Sequence, residues 1–135
     1  MQVQTIHPKE VAALREQDPE LELIDVRTSA EYRSVHAVGA RSVPLDDLDP
    51  GCIMAARNGR SDKPLYLICA GGTRSAKACH KFIAAGYSNV VSVDGGTQAW
   101  EKEGLAVERG KQALSLERQT RIAIGLMAVA GAVLA

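Results

Sequence analysis

No surplus of either charge marks this sequence: sixteen basic and sixteen acidic residues cancel. That balance removes any global pull toward nucleic acid or an anionic surface, so no nucleic-acid partner is expected. No CxxC pair occurs among the three cysteines, Cys52, Cys69 and Cys79, and His7, His36 and His80 stand at no metal-ligand spacing from them. Neither a zinc site nor a disulfide framework is expected, and a reduced, intracellular chain is the better reading. The N-terminal MQVQTIHPKE lacks an apolar h-region and reads as no secretory signal. Internal repeats and low-complexity segments are missing, and nothing calls for a cofactor.

What is present suits one domain with a core: 135 residues, 46% of them hydrophobic. The organising stretch runs from Leu65 to Ala85. An apolar run, LYLIC, ends in Cys69; two glycines and an arginine follow, then a segment of helical period that stops at Gly86. That order reads as buried strand, tight loop and helix. The loop wraps backbone N–H groups around one point ahead of a helix N-terminus, an arrangement that binds anions and favours thiolate over thiol. Gly71 and Gly72 tolerate positive φ and leave room above Cys69. Arg74 adds a fixed charge able to grip a tetrahedral oxyanion through two N–H bonds. The expectation is a nucleophilic cysteine in an anion cradle.

Along the chain, Val3–Ile6 reads as a short edge strand and residues 8–17 as a helix with Val11, Ala12 and Leu14 inward and Pro8 in its first turn. Leu21–Val26 reads as a strand that leaves Asp25 at its carboxyl tip. Thr28-Ser29-Ala30-Glu31 fits a capping box that starts a short helix to about Val35. His36–Ala40 reads as a turn, Arg41–Val43 as a short strand, residues 45–58 as helix or irregular, and Arg57–Lys63 as a polar surface loop. Asn89–Val93 gives one more strand, Asp94-Gly95-Gly96 a turn, and Thr97–Glu103 a helix carrying Trp100. Short strands alternating with helices predict an α/β fold, a mostly parallel sheet covered on both faces.

The end of the chain reads differently. Residues 1–111 form the expected domain and residues 112–135 a separate C-terminal helix. Ile122–Ala135 is fourteen uninterrupted apolar residues. As a helix they cover about 21 Å, against roughly 30 Å of hydrocarbon. One reading is a core or dimer-packing helix. Against it stand the absence of a polar face and the small residues Gly125, Ala128, Gly131 and Ala132, common where membrane helices meet. The expectation is the start of a membrane segment, with Arg118 and Arg121 keeping the domain at the cytoplasmic face of the cell membrane. Without lipid, the same small residues predict a homo-oligomer formed through the tails.

CAGGTRS after an apolar strand, with Asp25-Val26-Arg27, Glu31-Tyr32, His36-Ala37-Val38-Gly39-Ala40, Asp94-Gly95-Gly96 and Trp100, resembles a single-domain rhodanese, a sulfurtransferase. The resemblance covers about residues 3–109. The tail from about Leu116 resembles the start of the membrane hairpin of membrane-anchored rhodaneses. Val35 stands where the family usually has glycine. What the resemblance implies is a five-stranded, mostly parallel sheet flanked by helices and a two-step reaction. Cys69 attacks the outer sulfur of a small-molecule donor such as thiosulfate and becomes a persulfide. A thiophilic acceptor, cyanide for example, then removes that sulfur. The loop Ala70, Gly71, Gly72, Thr73, Arg74 and Ser75 would hold the donor. Backbone N–H groups cradle the persulfide, the Arg74 guanidinium holds the sulfonate end, and the Thr73 and Ser75 hydroxyls assist.

The other chemistry-bearing residues have structural readings. Cys52 and Cys79 are expected to be structural, Arg27 to pair with Glu31 one turn on, and His36 to stabilise its turn. Asp25 is expected to orient the loop or to make a structural hydrogen bond. His80 and Lys81 should face solvent and Trp100 the core. Two rival functions share parts of this pattern. Cysteine phosphatases and arsenate reductases place five residues between cysteine and arginine; here Ala70, Gly71, Gly72 and Thr73 intervene, a loop better sized for one sulfur atom. A non-catalytic binding module typically loses the cysteine or the loop charge, and this chain keeps both.

Overall fold

The computed structural model describes residues 2–57, 59–60 and 62–110. At its centre lies β5 (Leu65–Ile68), buried throughout. Successive side chains of a strand point to opposite faces, so Leu65 and Leu67 join one apolar layer while Tyr66 and Ile68 join the other. β6 (Val90–Val93) and β2 (Leu23–Asp25) flank it, β1 (Gln4–Ile6) lies outside β6, and β4 (Arg41–Ser42) outside β2. Every pairing in this order is parallel. The fold is therefore an α/β fold with a five-stranded parallel sheet flanked by helices, the architecture that the resemblance implies.

Helices cover both faces. Val11 of α1 (Pro8–Gln17) and Trp100 of α5 (Gly96–Lys102) enter one layer. Met54 of α3 (Pro50–Ala55) and Ala78, Cys79 and Phe82 of α4 (Thr73–Ala84) enter the other. Fully burying a side chain such as Phe82 contributes about 1.5–3 kcal/mol. α2 (Ser29–Ser34) buries no residue; its place is fixed by a capping box in which Thr28 and Glu31 satisfy each other's backbone N–H groups. All parallel strands run the same way, so the segments after β2 and β5 meet at one edge of the sheet.

Four readings of the sequence change. Leu14 is 41% exposed and not a core residue, because α1 presents one narrow apolar stripe. His36 and Ala37 belong to β3 (Val35–Ala37), which pairs antiparallel with β7 (Val107–Arg109) in a second small sheet. Arg57 is 4% exposed; its Nε donates to Glu22 Oε1, so the Arg57–Lys63 segment is anchored at its start. Arg27 pairs with Asp25, two residues back, and not with Glu31. The expected helix of residues 112–135, with its membrane and self-association readings, lies outside the described residues. Among the described residues, no helix is long and apolar enough to cross a membrane.

Candidate active site

Cys69 directly follows β5, at the carboxyl edge of the central strand, and is 1% exposed. The loop beyond it turns into α4 at Gly72, whose φ of +110° lies where a side chain would be strained. That turn aims the Gly72 N–H at Cys69 Sγ, 3.0 Å away. Gly71 keeps an ordinary φ, so one of the two glycines, and not both, supplies the left-handed residue. Burial would push the Cys69 thiol up. The Ser75 hydroxyl and the N–H groups of Ser75, Gly72 and Gly71 outweigh it and hold the thiol below its usual range.

A second helix holds the loop from behind. The Thr97 N–H donates to the Cys69 carbonyl at 2.7 Å, the Thr97 hydroxyl donates to the same oxygen at 3.2 Å, and the Gln98 N–H donates to the Ala70 carbonyl at 3.1 Å. With those carbonyls drawn toward the N-terminus of α5, the following N–H groups turn toward sulfur. The approach is possible because residue 96 is glycine: φ there is +59°, and a Cβ would overlap the carbonyls of Cys69 and Ala70. The Asp94-Gly95-Gly96 turn thus belongs to the site.

Arg74 sits in the first turn of α4. Its Nη1 and Nη2 donate to Glu31 Oε1 and Oε2 at 2.8 and 3.0 Å. Glu31 Oε1 also accepts from the Thr28 N–H and hydroxyl, so the capping box of α2 is tied directly to the active loop. The hydrogen bonds from Arg74 lower the Glu31 carboxyl to about 2. Ser75 is buried with its hydroxyl 3.5 Å from Sγ, while Thr73 is exposed.

The remaining candidates separate from this cluster. Cys79 is buried in α4, and burial pushes its thiol up to about 12. Cys52 is exposed; the hydrogen bond and charge of Asp49 push its thiol up. Asp25 forms a buried ion pair with Arg27, whose Nη2 also donates to the Val35 carbonyl. The His36 ring stacks on Tyr32, with Nδ1 against the Tyr32 carbonyl and Nε2 against Glu108. His80 and Lys81 are exposed and the Trp100 indole is buried, donating to the Ala106 carbonyl. Among the described residues, no group of three or more His, Cys, Asp or Glu could hold a metal ion.

Sequence reasoning missed Glu31, Gly96 and Thr97 as parts of the site. Glu31 was visible as a capping residue and the glycine pair as a turn; neither pattern says which distant loop it meets.

Comparison with known proteins agrees with this geometry. The rhodanese-like domain family model matches residues 7–103. An uncharacterized protein of Synechocystis sp. is 34% identical over 131 residues, 96% of this chain and 70% of that protein. Thiosulfate sulfurtransferase GlpE of Pseudomonas savastanoi is 37% identical over 95 residues, 70% of this chain and 84% of that protein. The solution structure of the rhodanese-like domain of Anabaena sp. Alr3790 superposes with a TM-score of 0.67 at 26% identity, covering 82% of this chain and 81% of that one. The parallel sheet, the cysteine loop after its central strand and the matched family model together make this chain a member of the rhodanese-like domain family.

Proposed function

We propose that the protein is a sulfurtransferase that moves a sulfane sulfur from a small-molecule donor such as thiosulfate to a thiophilic acceptor through a persulfide on Cys69. The observation that carries the reading is the Gly72 N–H 3.0 Å from a Cys69 Sγ whose thiol is held below its usual range. The thiolate attacks the outer sulfur of thiosulfate, the sulfur–sulfur bond breaks, and sulfite leaves with the bonding pair. The acceptor then attacks the terminal sulfur and Cys69 departs as thiolate. Splitting the transfer this way predicts ping-pong kinetics. Backbone N–H groups of the loop, Gly72 foremost, are donors for the persulfide, and Arg74 is the proposed contact for the sulfonate. Its bidentate contact with Glu31 uses one edge of the guanidinium; Nε and the outer Nη hydrogens remain to face a donor.

The four-residue spacing between Cys69 and Arg74 argues against phosphate chemistry, since a loop closing this tightly on sulfur leaves little space for a tetrahedral anion bonded to it. We further propose that residues 112–135 attach the domain to the cytoplasmic face of a membrane, on the strength of the fourteen apolar residues from Ile122.

Mass spectrometry after incubation with thiosulfate tests the reaction. The expected result is a gain of one sulfur atom that cyanide removes. A chain that gains nothing from thiosulfate or from an organic persulfide is not a sulfurtransferase.

A further inference from the structure

Two buried hydroxyls lie in series beneath Cys69. Ser75, in the first turn of α4, has its Oγ 3.5 Å from Cys69 Sγ and 2.7 Å from Ser92 Oγ. Ser92 lies in β6 on the face opposite Val91 and Val93, which brings it under α4. Both serines are buried, so their protons must be accounted for within the protein.

Each serine has one proton to donate. Among the described residues, the Ser92 hydroxyl has Ser75 Oγ as its partner. If Ser75 donated to Ser92, the Ser92 proton would be buried without an acceptor, a cost that the reverse direction avoids. Ser92 therefore donates, and the Ser75 proton has two acceptors in reach: the Gly72 carbonyl at 3.1 Å and Cys69 Sγ. The Gly72 carbonyl already accepts the Ala76 N–H at 3.2 Å, so it stays satisfied when Ser75 turns away. With Cys69 as a thiol, S–H donates to Ser75 Oγ and the Ser75 proton rests on Gly72. With Cys69 as a thiolate, the hydroxyl rotates and donates to sulfur.

We propose that Ser92 is a positioning residue for the Cys69 thiolate: by donating to Ser75 Oγ it leaves the Ser75 proton free to turn onto Sγ whenever Sγ carries charge. The role rests on the sulfur-transfer reading and matters most in its second step. There the acceptor's electron pair forms a bond to the terminal sulfur, the bond from that sulfur to Sγ breaks, and its electrons return to Sγ. No proton is transferred; the Ser75 O–H meets the charge as it appears. A leaving thiolate stabilised in this way departs faster, and the donation from Ser92 strengthens the Ser75 bond by polarising it.

The test measures the Cys69 pKa from the pH dependence of alkylation by iodoacetamide, located on Cys69 by mass spectrometry, and times the loading and cyanide discharge of sulfur separately. Charged side chains about the loop are Arg74 with Glu31, the Asp25–Arg27 pair at the tip of β2, and Asp94 beyond β6; the variants leave all of them in place. Ser92→Ala is expected to raise the Cys69 pKa by about half a unit to one unit and Ser75→Ala by at least as much. Discharge should slow roughly 3- to 10-fold in Ser92→Ala, with loading less affected. Because Ser92 acts through Ser75, adding Ser92→Ala to Ser75→Ala should change nothing more, while Ser92→Thr, which keeps the hydroxyl, should restore the pKa. Additive effects, or a Ser92→Ala pKa equal to wild type, would overturn the proposal. Should Ser92→Ala fold poorly, Ser92→Cys, which keeps the side-chain shape with a weaker donor, takes its place: a raised Cys69 pKa supports the proposal and one equal to wild type sinks it. The alkylation profile is read whether or not sulfur loads, so failure of sulfur transfer and failure of the hydroxyl pair are told apart.

Discussion

Arg74 and Glu31 meet as a two-pronged ion pair, 2.8 and 3.0 Å, that joins the first turn of α4 to the capping box of α2. The side chains are 34% and 36% exposed, so solvent screens the pair and its contribution to stability is modest. The pH dependence has a definite sign. The Glu31 carboxyl falls from 4.5 to about 2, so the stabilisation is fully present above about pH 4.5 and is lost as pH drops toward 2. Glu31→Gln retains a capping side chain and removes the charge. Thermal melts of this variant should fall less steeply than wild type between pH 5 and 2; parallel curves would show that the pair contributes nothing.

Arg74→Ala should weaken reaction with thiosulfate more than reaction with an uncharged persulfide. Loss of a charge-assisted contact worth about 1.5–3 kcal/mol corresponds to roughly a 10- to 150-fold drop in kcat/KM. Equal losses for both donors would assign Arg74 to holding the loop against Glu31.

Cys69→Ser should abolish sulfur loading with the fold retained. Cys79→Ser should leave loading nearly unchanged, because a thiol pushed up to about 12 stays protonated at neutral pH. Retention of more than about a tenth of the activity in Cys69→Ser would place the nucleophile elsewhere.

Gly96→Ala combines left-handed backbone strain with overlap of two carbonyls, and should cost about 2–5 kcal/mol and most of the activity. Gly104→Ala is the control: φ is +76° there but nothing lies within 4 Å of a new Cβ. It should cost about 1–2 kcal/mol and leave sulfur loading per folded molecule intact. Chemical denaturation with an activity assay on the same samples separates the two.

Asp25→Ala should destabilise the fold by about 3–5 kcal/mol, because it leaves the Arg27 guanidinium buried beside an empty place. A loss below about 1 kcal/mol in denaturant titration would mean that Arg27 finds water or another acceptor.

Removal of residues 112–135 should leave a soluble, monomeric domain that still loads sulfur, since the sheet, both apolar layers and the Cys69 loop are complete by Arg109. Retention of vesicle binding or self-association by the shortened chain would move those properties into the domain. Loss of folding would make the tail part of the core and end the membrane proposal.

The geometry of the candidate site was legible in the sequence where its parts are contiguous. Strand, cysteine, glycine turn and helix occupy one stretch, and local geometry sets their chemistry. Contacts across the fold were not legible in the same way. Arg27 and Glu31 stand one helical turn apart and have opposite charges, yet each faces a different partner, because β2 ends with Asp25 pointing back at Arg27 while α2 lies against the start of α4. β3 escaped notice because three residues carry almost no periodic signal and their partner lies about seventy positions later. Ser92 looked like one polar residue in an apolar strand; its meaning depends on Ser75 arriving from the helix above.

The bonds from Thr97 and Gln98 to the carbonyls of Cys69 and Ala70 bear on how portable this chemistry is. The seven residues CAGGTRS are half of a device whose other half arrives more than twenty positions later. Grafted onto another α/β protein after a central strand, they would lack the N–H groups behind the loop, and their carbonyls would compete for the space the sulfur needs. A working transplant must carry Asp94 to Gln98 along with the loop, and must set the two segments on adjacent parallel strands, as β5 and β6 set them here.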